Sequence, residues 1–285
     1  CFDAPPMWQH LSEIVPNAKS GEYYLTDMAE IFGRHGLAIH NHRIEDPREL
    51  LGINTRIELA EADAILRERK NRELMLSGVT IEKPETVTID LDVEVGCDTV
   101  IEPFVKLLGH TKIGEDCRIG TGSILENAHL ESNTEVGPYT LVADSKLESG
   151  AQAGPFSRLR MHAVARANSR IGNFVELKNT ELGAGSKSQH LAYLGDTSIG
   201  AGSNIGAGTI TCNYDGAKKH RTTIGDDVFV GSNSTLVAPV TLSDNSYVAA
   251  GSVVTHHVPS DALAVGRSRQ ENKAGWVSRR KPKKG

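Results

Sequence analysis

The densest run of ionisable and polar side chains in this sequence lies between Arg160 and Arg221. Arg158-Leu159-Arg160 sets two guanidinium groups two residues apart, and Glu176-Leu177-Lys178 repeats the spacing with opposite charges. That spacing puts each pair on one side of an extended strand. Next come His190-Leu191-Ala192-Tyr193-Leu194-Gly195-Asp196, then Asn204, then the polar stretch from Asn213 and Tyr214 to Lys219 and Arg221. An imidazole titrates near neutral pH, so His190 is the candidate general base. Glu176 and Tyr193 give it polar company that His110, His129, His162, His256 and His257 lack. Arg160, Lys178 and Lys219 are candidate phosphate ligands if the fold stacks them. A zinc held by three histidines would need two at close spacing plus a third. His190 stands alone, and the adjacent His256-His257 would point to opposite faces of a strand, so the metal reading is disfavoured. The sequence carries no Walker-type or dinucleotide glycine loop.

What must position these groups is a six-residue beat. Aliphatic anchors recur at Val95, Ile101, Leu107, Ile113, Ile119 and Leu125, at Ile199 and Ile205, and at Ile224, Val230, Leu236, Leu242 and Val248. Four residues after most anchors comes a small or β-branched residue, such as Thr111, Ser123 or Ser234. Each small residue stands two before the next anchor, so both face one interior. The period predicts a parallel β-helix from about residue 87 to 256. The phase slips after Leu125 and again between Val142 and Ile171, which predicts loops or uneven turns there. Between Thr211 and Ile224 the beat stops, so residues 212–221 must loop out of the scaffold, where function is commonly carried.

The sequence before residue 53 keeps no beat. It reads as a helix around Trp8 and Ile14, a helix near Tyr24 to His35, and a strand over Leu37-Ala38-Ile39-His40. A long helix follows from about Thr55 to Ser77, with Asn54 as its N-cap and Gly78 as its stop. Aromatics are 5% of 285 residues and glycines number 28, which suits a thin solenoid. The net charge of −5 argues against nucleic acid as the main partner. The basic tail Arg279-Arg280-Lys281-Pro282-Lys283-Lys284 reads as a solvated terminus. Four cysteines without a CxxC pair read as reduced thiols of a cytoplasmic protein. No apolar run is long enough for membrane insertion. The chain opens on Cys1 rather than Met, which reads as a truncation.

Several runs resemble one family. They are Gly154-Pro155-Phe156-Ser157-Arg158-Leu159-Arg160, Gly172-Asn173-Phe174-Val175-Glu176-Leu177-Lys178, the His190 to Asp196 run, and Asn204-Ile205-Gly206-Ala207-Gly208-Thr209-Ile210-Thr211-Cys212-Asn213-Tyr214-Asp215-Gly216. Together they resemble the bacterial bifunctional glucosamine-1-phosphate acetyltransferase/N-acetylglucosamine-1-phosphate uridyltransferases. The resemblance implies a mainly β fold: a left-handed parallel β-helix of hexapeptide repeats. Residues 1–53 would be an incomplete α/β nucleotidyltransferase remnant, residues 54–82 a connector helix and linker, residues 83–256 the acetyltransferase solenoid, and residues 257–285 a tail. It also implies a homotrimer with acetyl-CoA sites between neighbouring chains.

The implied reaction moves acetyl from acetyl-CoA to the 2-amine of glucosamine 1-phosphate, towards UDP-N-acetylglucosamine and cell-envelope synthesis. His190 matches the general base and Glu176 an assisting carboxylate. Arg160, Lys178, Tyr193, Asn204 and Lys219 match sugar-phosphate contacts, with Lys219 reaching over from a neighbouring chain. Ala207, Asn213, Tyr214, Ser232, Ala250 and Arg267 match acetyl-CoA contacts. A tetrahedral oxyanion would need preorganised donors, for which a backbone amide near Ser232 is a candidate. Asn54 matches one Mg²⁺ ligand of the uridyltransferase, but the glycine-rich nucleotide loop and the partner Asp are missing. Uridylyl transfer, and with it the need for Mg²⁺, is therefore expected only of a full-length protein. The alternatives are a non-catalytic trimeric scaffold, or an acyltransferase for another amino sugar on the same solenoid.

Overall fold

The computed structural model describes residues 1–280. From Thr80 to Ala264 the chain winds into a parallel β-solenoid with three faces, sheets of 11, 10 and 9 short strands. Every pairing between these strands is parallel. A residue faces another 18 further on in some coils (Val100 with Arg118) and 17 further on in others (Lys187 with Asn204). The anchors line the inside: Ile101, Leu107, Ile119, Leu125, Val230, Leu236 and Leu242 are all fully buried. The small positions share that interior, where Thr99, Thr111, Ser123, Thr209 and Ser234 are equally buried. Pairing one large with one small side chain fills a bore too narrow for two large ones. The corners use left-handed backbone, met by glycine and, among residues with a Cβ, most often by Asp and Asn, which tolerate it best.

The two expected breaks in phase are uneven turns rather than loops. Leu125 is followed by Leu130, Val136, Val142 and Leu147, all buried. One corner per coil is a residue shorter, so the spacing falls to five and the coil to 17 residues. Between Val142 and Ile171 the beat persists through Ala153, Leu159 and Ala165. Alanine in an anchor position disguised it. The one true excursion is residues 212–221: across it Asn204 pairs with Phe229, 25 residues on, seven more than an 18-residue coil.

Pairing also reaches past the expected limits of residues 83 and 256. Thr80–Ile81 pairs with Val100–Ile101, and Leu263–Ala264 pairs with Tyr247–Val248. End strands of two residues carry too little pattern to be read from sequence. Of the basic tail, Lys281, Pro282, Lys283 and Lys284 lie outside the described residues.

The chain divides into two units between Glu58 and Leu59. In the first, helices Ala4–His10 and Met28–Arg34 enclose a small core of Ile14, Met28, Ile31 and Phe32. The expected strand at residues 37–40 does not form; among the described residues of this unit no strand exists to satisfy its backbone. The long helix is Arg56–Leu76, and its N-cap is Thr55 rather than Asn54. Thr55 Oγ1 accepts from the Glu58 backbone N–H (3.2 Å), while Glu58 Oε2 accepts from the backbone N–H groups of Asn54 (2.7 Å) and Thr55 (2.6 Å), which makes a capping box. Bonds from Asn54 and Thr55 hold the Glu58 carboxyl below its ordinary pKa. The helix stops at Gly78, whose φ of +96° favours glycine, and Leu74 joins the solenoid core.

Candidate active site

The solenoid stacks the expected phosphate ligands on its second face. Arg160 lies beside Lys178 in the next coil, and Lys178 beside Gly195. On the same strands Arg158 faces Glu176, and Glu176 faces Tyr193. Arg160 Nε donates to Glu176 Oε1 at 2.6 Å, so the Glu176 carboxylate is engaged by arginine. Lys178 is only 6% exposed and its Nζ donates to Oδ2 of Asp196 at 3.0 Å. Asn179 Nδ2 donates to the other carboxylate oxygen at 2.7 Å, and Asn213 Nδ2 donates to Oδ2.

Burial works against the charge on Lys178, but its neighbours, Asp196 foremost, together leave its pKa above the ordinary lysine value. Burial likewise opposes the charge of Asp196, yet bonds from Asn179, Lys178 and Asn213 leave its pKa below the usual aspartate value.

Within the chain Lys219 also approaches this group, next to Lys178. Contact with Lys178 is the main cause of its lowered pKa, and Arg160 adds repulsion. Arg160 pairs with Glu176 and Lys178 with Asp196, so these four and Lys219 sum to one net positive charge, carried in effect by Lys219. Gly195 makes the space: a Cβ there would stand 2.5 Å from the Tyr193 hydroxyl and 2.8 Å from Asn213 Nδ2. Tyr193 and Asn213 therefore close over Gly195, beside Lys178, and would have to shift to admit a Cβ.

A second column runs along the adjoining corner. His190 faces Asn173 one coil earlier, with its Nδ1 2.9 Å from Asn173 Oδ1. The backbone ladder then continues coil by coil. The carbonyl of Asn173 accepts from Leu191 N–H (3.1 Å), that of His190 from Gly208 (3.3 Å), that of Ala207 from Asn233 (2.7 Å) and that of Ser232 from Gly251 (2.8 Å). Asn173, His190, Ala207, Ser232 and Ala250 thus occupy one line of corner positions. Arg267 lies at its end, its Cδ 3.7 Å from where a Cβ on Gly251 would stand. Apart from the imidazole this edge carries small side chains.

The excursion is braced rather than slack. Asp215 Oδ1 accepts from the backbone N–H groups of Ala217 (2.8 Å) and Lys218 (2.6 Å), and its Oδ2 meets His220 Nε2 at 2.7 Å. The bond from Lys218 leads these in holding the Asp215 carboxyl well below the usual range. Tyr214 folds into its own loop, donating its hydroxyl to Gly216 O at 2.7 Å. Asn204 sits on the first face between Lys187 and Phe229, outside both columns. Asn54 belongs to the first unit.

Sequence reasoning missed Asn173, Asn179 and Asp196 as site residues. Asn173 and Asp196 stand inside the motifs that carry the resemblance, but only the register of 17 or 18 residues reveals which polar side chain each one meets. Cavities of about 670, 430 and 380 Å³ are lined by other residues.

Comparison with known proteins bears on the whole chain. A model for the bacterial transferase hexapeptide (six repeats) matches residues 92–127, and one for the hexapeptide repeat of succinyl-transferase matches residues 221–256. The bifunctional protein GlmU of Solibacter usitatus is 56% identical over 281 residues, which is 99% of this chain and 60% of that protein. The chain is a relative of the GlmU proteins. That of Koribacter versatilis is 50% identical over 98% of this chain and 60% of its own length, and that of Geotalea uraniireducens 45% identical over 95% and 60%. The chain thus spans about 60% of the length of the relatives it matches. Among solved structures, a Francisella novicida UDP-N-acetylglucosamine acyltransferase aligns over 66% of this chain and 67% of its own, at 14% identity and a TM-score of 0.36. No described helix is long and apolar enough to cross a membrane.

Proposed function

We propose that this chain transfers the acetyl group of acetyl-CoA to the 2-amine of glucosamine 1-phosphate, giving N-acetylglucosamine 1-phosphate and free CoA. The product would feed UDP-N-acetylglucosamine and cell-envelope synthesis. The observation that carries the reading is the shared corner column of His190 with Ala207, Ser232 and Ala250, beside a cationic cluster whose charges leave one net positive charge at Lys219.

The chemistry follows from these positions. With the Asn173 oxygen accepting from Nδ1–H, His190 keeps a lone pair on Nε2, the atom that takes the proton as the amine attacks the thioester carbonyl. Arg160, Lys178 and Lys219 fix the sugar phosphate and Tyr193 bears on the sugar, while Asn204, on another face, would reach it only from a neighbouring chain of the homotrimer. Orientation of this kind can supply much of the barrier reduction. Ala207, Ser232 and Ala250 leave an edge smooth enough for the pantetheine arm, and Arg267 offers its charge to the CoA phosphates. Asn213 and Tyr214 would meet the acetyl end, and a backbone amide near Ser232 the oxyanion.

The site would be completed by neighbours in a homotrimer. Tyr139, Phe156 and Phe174 stack with ring centroids 5.4 Å apart on the corner next to the His190 column, and Leu191 prolongs the ridge. All four are about half exposed or more, an apolar strip of the kind that partners cover. Uridylyl transfer with Mg²⁺, for which Asn54 would be one ligand, is proposed for a longer protein only. Cytoplasmic residence goes with the small-molecule substrates; nucleic acid and membrane insertion have no part in the reading.

A panel of amino sugars tests it. Glucosamine 1-phosphate should be acetylated well ahead of glucosamine and galactosamine 1-phosphate, and His190→Ala should lower kcat by roughly 10²–10⁴-fold with little change in folding. Equal rates across the panel, or an unchanged rate in the variant, would overturn the assignment.

A further inference from the structure

We infer that Asp196 is a positioning residue that joins the phosphate-binding half of the site to its acyl-donor half, by holding Lys178, Asn213 and the base of the 212–221 excursion on one buried carboxylate. The inference rests on the reading of Lys178 and Asn213 proposed above and assigns a role to a residue neither substrate is read as touching.

Three donors converge on the Asp196 side chain. Asn179 Nδ2 takes one oxygen at 2.7 Å, while Lys178 Nζ at 3.0 Å and Asn213 Nδ2 share the other. Lys178 belongs to the coil below, and Asn213 opens the excursion above. Its far end is also tied to this residue, because the Thr222 N–H donates to the Asp196 carbonyl at 3.2 Å. Asp196 therefore fastens both ends of the loop that carries Lys219. The residue is 9% exposed and its backbone is left-handed, with φ +50°, a conformation Asp and Asn accept more readily than other residues with a Cβ.

A carboxylate is required rather than a neutral acceptor. Lys178, 6% exposed, would otherwise be a buried charge without a counter-ion. The titratable groups around its ammonium are Asp196, Lys219 and Tyr193, with Arg160 and its partner Glu176 on the strand below. Among the described residues, Asp196 alone lies within salt-bridge distance of it as an anion.

Asp196→Asn separates charge from shape, since it keeps volume and turn preference and removes the anion. In that variant the KM for glucosamine 1-phosphate and the KM for acetyl-CoA should each rise at least tenfold, whereas Lys178→Ala should raise only the first. An NMR titration of the Lys178 side chain should place its pKa above the ordinary 10.5 in the parent and below it in Asp196→Asn. A variant that merely loosened the fold would shift the melting temperature without splitting the two KM values from the Lys178→Ala pattern. Asp196→Glu, which keeps the charge on a longer arm, should hold the Lys178 titration high while still raising both KM values. It serves in place of Asp196→Asn if that variant does not fold. Parental KM values in a folded Asp196 variant, or a Lys178 titration unmoved in Asp196→Asn, would overturn the inference. An inactive parent would sink the acetyltransferase reading instead, and the Lys178 titration would still decide the positioning role.

Discussion

His190 Nδ1 lies 2.9 Å from the side-chain oxygen of Asn173, the residue directly beneath it in the preceding coil. An amide oxygen only accepts, so Nδ1 carries the proton and Nε2 is left as the basic atom. Asn173→Ala should lower kcat about 10–100-fold, part of the contribution a general base makes, and change KM far less. Asn173→Asp should set a negative charge against the ring, favour the imidazolium, and move the acidic limb of the kcat/KM profile to higher pH. A parental kcat in Asn173→Ala would show that the imidazole is oriented by something else.

Lys219 is the cation on which the pH dependence of phosphate binding should turn. The nearby Lys178 ammonium holds its pKa below the ordinary 10.5. Lysine is charged below its pKa, so affinity for glucosamine 1-phosphate should be full near neutral pH and fall as pH rises through that lowered value. A bound phosphate dianion favours the charged form, so binding in that alkaline window should take up protons. Calorimetry in buffers of differing ionisation enthalpy measures the uptake, and Lys219→Met should abolish it. Equal proton uptake in the parent and in Lys219→Met would remove Lys219 from the role.

Gly195 should accept no side chain without cost to the site. The Tyr193 hydroxyl and the Asn213 amide occupy the space a Cβ would need. Gly195→Ala is expected to lose about 1–3 kcal/mol of stability through overpacking. It should also raise the KM for the sugar phosphate. Adding Tyr193→Ala should restore most of the stability and none of the binding. Full stability in the single variant, measured by thermal unfolding, would contradict the close approach.

The ridge of Tyr139, Phe156 and Phe174 should be covered by a second chain. Phe156→Asp with Phe174→Asp puts two charges on the strip while leaving the buried anchors Leu159 and Leu177 in place. Light scattering should then report a smaller species than the parent, and activity should fall with it. A parental mass for the double variant would move the interface elsewhere.

The solenoid is legible in the amino-acid sequence, because its period is written in large side chains at Ile101, Leu107 and Ile113. The period is hard to follow where Ala153 and Ala165 occupy anchor positions and where a coil drops one residue. Alanine gives no hydrophobic signal above its neighbours, and a five-residue step looks like a broken rhythm. His190, Lys178 and Lys219 are legible by residue type. Asn173 and Asp196 are not, since their roles depend on facing His190 and Lys178 across coils of 17 or 18 residues. The strand expected at residues 37–40 fails for a different reason: alternation of Leu37-Ala38-Ile39-His40 describes a strand only if a partner strand exists.

The most direct test is release of free CoA thiol from acetyl-CoA by the purified chain, with and without glucosamine 1-phosphate. Thiol should appear only when the amino sugar is present, in step with N-acetylglucosamine 1-phosphate, and His190→Ala should suppress both. Thiol release that is indifferent to the amino sugar, or none at all from a verified trimer, would contradict the account.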